Sequence, residues 1–148
     1  MAMRLLFATS DDESLNLMHS TLNSALCLTP LNVHVAEARS RADVLARVEA
    51  FQDDVILLDW LIAGADTPAL VRDIIGRNPL LRVVALLPEH QRQYRQLVWD
   101  AGACNGIPKE HVDQEWLSTV LCIMYRAMQR EAMFLEKGPP DIKARTRG

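Results

Sequence analysis

Short apolar runs alternate along this chain with stretches that repeat apolar residues every three or four positions. Arg4 to Thr9 is a run of strand length, and Ser10-Asp11-Asp12-Glu13 follows as a helix-start cluster rich in acceptors for free amides. Leu15, Met18, Leu22 and Ala25 or Leu26 then mark one face of an amphipathic helix, which ends before Pro30. Val33-His34-Val35-Ala36 predicts a second strand, and Ser40 caps a helix over about 41–51 with Val44, Leu45 and Val48 inward. Val55-Ile56-Leu57-Leu58 is apolar without alternation and bounded by carboxylates, which reads as a strand buried on both faces with Asp59 at its end.

A loop from Ile62 to Thr67 leads into a helix begun by Pro68, with Leu70, Val71, Ile74 and Ile75 inward. Asn78-Pro79 stops it, and Leu81 to Leu87 predicts a fourth strand closed by Pro88. The segment 89–101 carries Tyr94, Leu97 and Val98 on one helical face and ends at Gly102, a left-handed helix stop. Gly106-Ile107-Pro108 is a weak fifth strand. A last helix over about 113–136 repeats apolar residues from Trp116 to Met128 and keeps Met133, Phe134 and Leu135 beyond them, longer than one domain needs to cover its sheet.

Five strands alternating with helices imply a parallel sheet covered on both faces, since parallel neighbours need helical crossovers. The expected fold is α/β, a flavodoxin-like doubly wound (βα)5 sheet with an extended last helix. It occupies residues 1–136, and Lys137-Gly138-Pro139-Pro140 opens a flexible basic tail, 137–148.

Composition narrows the function classes. The chain has 148 residues, 49% hydrophobic and 24% charged, near the globular average. A net charge of −3 argues against a nucleic-acid binder, because phosphate neutralisation needs a basic surface. Cys27, Cys104 and Cys122 form no CxxC pair or complete disulfide set, which suits a reducing cytoplasm. No stretch approaches the roughly 20 apolar residues of a membrane span, and the amino end is too short for a secretory signal. His19, His34, His90 and His111 lack ligand spacing, and no Gly-rich phosphate loop, GxSxG or HExxH is present.

Asp59 stands where the central strand meets the carboxyl edge, the place where open α/β sheets bind ligands. Asp54-Val-Ile-Leu-Leu-Asp59-Trp-Leu-Ile-Ala-Gly64-Ala-Asp66 resembles the third strand and following loop of response-regulator receiver domains. Ala101-Gly-Ala-Cys-Asn-Gly106-Ile-Pro-Lys109-Glu110 is similar to the same family's fourth-helix end and fifth strand. The resemblance covers about residues 4–128. It implies that Asp59 is the phosphoacceptor, that the Lys109 ammonium neutralises a phosphate oxygen, and that Mg²⁺ bridges acceptor and phosphate with help from the Leu61 backbone carbonyl. It implies a histidine kinase or phosphotransfer protein as partner, and no turnover of a foreign substrate.

The family's acidic metal-binding pair follows its first strand. Here that position falls on Thr9-Ser10 or Ser10-Asp11, and helix periodicity favours the second, with Asp11 or Asp12 ligating Mg²⁺ beside Asp59. An equal alternative is that Ser10 to Glu13 only caps the first helix. At the family's phosphoryl-binding hydroxyl position stands Leu87, at its aromatic switch position Gly106, and directly after the acceptor the bulky Trp60. Such a receiver is atypical.

The leading expectation is therefore a stand-alone atypical receiver that signals through protein–protein contact, with Asp59 phosphorylated. The alternative is a degenerate module in which the fold serves as a phosphorylation-independent interaction or homodimerisation platform, the Met-rich end of the last helix being the docking surface. A flavodoxin-like cofactor-binding domain is disfavoured by the lack of a Ser/Thr/Gly-rich loop after strand one. A receiver cut from a DNA-binding regulator with a helix-turn-helix half is the remaining reading.

Overall fold

The computed structural model describes residues 2–137, and 138–148 of the expected tail lie outside the described residues. Its elements are β1 (Met3–Ala8), α1 (Asp12–Leu28), β2 (Val33–Ala38), α2 (Arg41–Glu49), β3 (Val55–Asp59), α3 (Thr67–Arg77), β4 (Arg82–Leu87), α4 (Gln93–Asp100), β5 (Asn105–Pro108) and α5 (Gln114–Lys137). The strands pair in parallel in the order β2-β1-β3-β4-β5, the doubly wound arrangement the alternation predicts.

Two apolar layers sandwich the sheet, and strand periodicity decides which residue enters which. Ile56 and Leu58 of β3 join Leu6, Val83 and Ala85 under Val44, Val48, Leu70, Ile74 and Val98 of α2, α3 and α4. Val55 and Leu57 join Leu5, Phe7, Val84 and Leu86 under Leu15, Met18, Leu22, Leu117 and Leu121 of α1 and α5. Each such fully buried side chain contributes about 1.5–3 kcal/mol relative to leaving it in water. That is why β3 is apolar at every position until Asp59.

Two boundaries differ from the sequence pattern for local reasons. Helix α2 ends at Glu49 instead of Phe51, because the Phe51 amide turns back to the Val48 carbonyl and Phe51 takes φ +52° with its ring 57% exposed. The early stop lets Arg47 hold the buried carboxylate of Asp53 through two hydrogen bonds of 2.8 and 3.0 Å at the entry to β3. The segment expected as one helix over 89–101 is a 3-10 turn at Glu89–Gln91 followed by a short α4, which lacks a side-chain cap. On α4 Val98 is buried and Tyr94 partly so, whereas Leu97 stays 47% exposed.

Gly102 has φ +114° and ends α4 in the left-handed region, as its type suggests. Gly106 serves a different need. A Cβ there would lie 2.8 Å from Val98 Cγ2, so only glycine lets α4 seat directly on β5. Gly106→Ala should therefore destabilise the fold by about 1–3 kcal/mol in urea unfolding, the usual cost of overpacking, and most of that cost should vanish in a Val98→Ala background.

Candidate functional site

The ends of β1 and β3 meet at the carboxyl edge of the sheet, with Ala8 opposite Leu58 and Asp59 opposite Leu86. The carboxylate of Asp59 is wholly buried, and it makes no cap bond to the 3-10 turn Trp60–Ile62 that follows. Its Oδ2 accepts from the Thr9 hydroxyl at 2.5 Å and from Lys109 Nζ at 3.0 Å. Lys109 begins the turn after β5, two strands away, and its side chain reaches across the end of β4. The ammonium also donates to Ser14 Oγ on α1 at 2.5 Å. Asp59 Oδ1 is buried with no hydrogen-bond partner.

The residues after β1 form the other wall. Thr9 is fully buried, and its hydroxyl accepts from the Asp11 amide at 3.2 Å while donating to Asp59. Ser10 Oγ donates to the Leu61 carbonyl at 3.1 Å. Thus Thr9 and Ser10, rather than Ser10 and Asp11, reach the acceptor strand and its loop. Asp11 is the N-cap of α1: its Oδ2 accepts from the Ser14 amide at 2.9 Å and from Ser14 Oγ at 2.7 Å. Asp12 pairs with Arg39, whose guanidinium also donates to the carbonyls of Thr9 at 3.0 Å and Ser10 at 3.2 Å.

The other departures lie close by. Leu87 is buried opposite Pro108 and packs into the layer under α2, α3 and α4. The Trp60 ring stands edge-on to Tyr94, centroids 4.8 Å apart, so it joins the loop to α4. Ser14 and Arg39 escaped sequence reasoning. Ser14 sits three residues after the cap, a spacing that signals a capping partner and says nothing of Lys109. Arg39 has no periodic or motif signal at all.

The residues present do not fit the Mg²⁺ site that the resemblance implies. Of its ligands, Asp11 and Asp12 face Ser14 and Arg39, and the Leu61 carbonyl already accepts from Ser10. Among the described residues no group of three or more His, Cys, Asp or Glu side chains could hold a metal ion. What the arrangement can do is bury one ion pair: Asp59 and Lys109 are brought together, with hydroxyls satisfying part of what water would supply.

No protein-family model matches the sequence, and no characterised protein matches it by sequence. Solved structures do match by shape. The signal receiver domain of an HD domain-containing protein from Pseudomonas fluorescens superposes with TM-score 0.73 at 17% identity, covering 88% of this chain and 92% of that one. A CheY-like receiver domain protein from Methanospirillum hungatei gives TM-score 0.68 at 14% identity over 88% and 99%. The receiver domain of a Pseudomonas aeruginosa sensor histidine kinase, which holds magnesium in its active-site cleft, gives 0.64 at 16% over 82% and 95%. The chain has the fold of response-regulator receiver domains.

Two outcomes follow from the geometry. Lys109→Ala strands the Asp59 charge without its counter-ion and should cost about 3–5 kcal/mol in denaturant unfolding, whereas Asp59→Asn combined with Lys109→Met should cost much less. Hydrogen bonds from the Ser14 hydroxyl and then its amide hold the Asp11 carboxyl below the usual carboxylate range. A carboxyl with a lowered native pKa stabilises the fold above its unfolded pKa and loses that contribution as pH falls through the native value. The melting temperature of Asp11→Ala should therefore lie below wild type at neutral pH and converge on it in acid.

Proposed function

We propose that the chain is a signalling module of the receiver type in a two-component system, that it works through protein–protein contact, and that it does so without phosphoryl transfer to Asp59. The observation that carries this reading is how Asp59 is already occupied. An incoming phosphoryl group brings oxygens that need a cation, an ammonium and a hydroxyl or amide. The ammonium of Lys109 and the hydroxyl of Thr9 stand at Asp59, but both are already bonded to its Oδ2, the ammonium to Ser14 as well. Leu87 offers a methyl group where a hydroxyl is required, and Val98 seated against Gly106 leaves no aromatic switch in β5.

One observation favours the competing reading, in which a histidine kinase or phosphotransfer protein phosphorylates Asp59. Oδ1 is free of partners and could act as the nucleophile. Intact mass after incubation with Mg²⁺ and a small phosphodonor separates the two. The expected result is no gain for wild type or Asp59→Asn under conditions that modify an ordinary receiver; one added phosphoryl mass in wild type alone would establish the competing reading.

The contact surface we assign is the distal end of α5. Met133, Phe134 and Leu135 are exposed there, Leu135 to 86%, beside Leu80 at 80% on the loop before β4. Arg130 lines the same patch, while Glu131 is paired within the chain with Arg82. Light scattering of the full chain should show a mass rising with concentration toward a homodimer, and Phe134→Glu with Leu135→Glu should hold it at the monomer. A constant monomer mass in wild type would remove the dimer.

A further inference from the structure

We infer that the chain carries its own replacement for a divalent cation at the Asp59 site: two hydroxyls and two side-chain cations occupy the groups that would hold the ion and exclude Mg²⁺. This rests on reading Asp59 as a receiver-type acceptor position. Each group that would serve the ion has a donor from the chain, Asp59 through Oδ2 with Oδ1 left unpartnered. Asp59 Oδ2 has Thr9 and Lys109, the Leu61 carbonyl has Ser10, Asp11 has Ser14, and Asp12 has Arg39.

The charges correspond as well. A divalent ion offsets neighbouring carboxylates with two positive charges at one point. Here Lys109 places one on Asp59, and Arg39 places one on Asp12 while clamping the Thr9 and Ser10 carbonyls of the β1–α1 turn. Arg39 is thus a positioning residue, holding the turn from which both hydroxyls reach out. An entering Mg²⁺ would have to displace Ser10 from Leu61, and the one carboxylate left to it, Asp59, is already neutralised by Lys109. The ion gives up its water reluctantly and binds through one or two carboxylates, and the one within reach here is already paired with Lys109.

The test is a titration of the full chain with MgCl₂ at constant ionic strength, reading tryptophan fluorescence, to which Trp60 beside the acceptor contributes, and melting temperature. Wild type should show no saturable response. Thr9→Asp with Ser10→Asp gathers like charges around Asp59, so it should melt lower without Mg²⁺ and recover several degrees in a saturable way when the ion is added. Arg39→Met should melt below wild type, with Arg39→Lys recovering part of the loss. A saturable wild-type response that Asp59→Asn abolishes would overturn the inference. So would a folded Thr9→Asp, Ser10→Asp variant that stays indifferent to Mg²⁺, because the hydroxyls would then not be what excludes the ion. If that variant does not fold, Ser10→Asp alone takes its place, and the wild-type titration decides in any case. Phosphoryl gain by wild type in EDTA would sink the proposed function and leave this inference standing; Mg²⁺ binding without phosphoryl gain would do the reverse.

Discussion

A carboxylate with no exposed surface has to find its counter-charge inside the molecule, and Asp59 finds it in Lys109, fifty residues away in sequence. The pair constrains more than its own geometry. Lys109 must arrive from β5 and pass the end of β4, which requires β3, β4 and β5 to lie side by side with their carboxyl ends level. Its second bond, to Ser14, ties the start of α1 to the same point. Strand ends from the centre and edge of the sheet, and a helix from one of its faces, therefore meet at one ammonium.

Around that point the molecule favours a fixed arrangement over an adjustable one. Thr9 and Ser10 bridge β1 to Asp59 and to the loop behind it, Arg39 clamps their carbonyls, and Trp60 ties the loop to α4 through Tyr94. On the far side Gly106 lets Val98 rest on β5, so α4 packs where a larger residue would hold it off. A site that exchanges ligands needs polar groups left free for them. Among the described residues, every buried side-chain polar atom except Asp59 Oδ1 has a partner within the chain. Away from the site, the end of α5 exposes Met133, Phe134 and Leu135.

Much of this was legible in the residue pattern. The unbroken apolar run of β3 can only be a strand covered on both faces, and the two layers divide its residues by parity, as a period of two demands. Gly102 and Ser40 marked helix ends by their own chemistry. The end of α2 was not legible: its apolar spacing runs on to Phe51, and what stops the helix is the need to deliver Asp53 to Arg47. Leu97 continued a helical face that α4 is too short and too poorly capped to present inward.

The sequence by itself determined the order of elements, the parallel sheet, and the placing of Asp59 and Lys109 at strand ends. Tertiary structure alone decided which groups face Asp59. The turn from Thr9 to Asp11 has no period, so a shift of one residue costs nothing in any local pattern, and three neighbouring side chains compete for one direction. The free amide of Ser14 takes Asp11 for the helix cap, which leaves Thr9 and Ser10 to point at β3 and its loop. Arg39, arriving from the end of β2, holds them there through carbonyls that no side-chain pattern records.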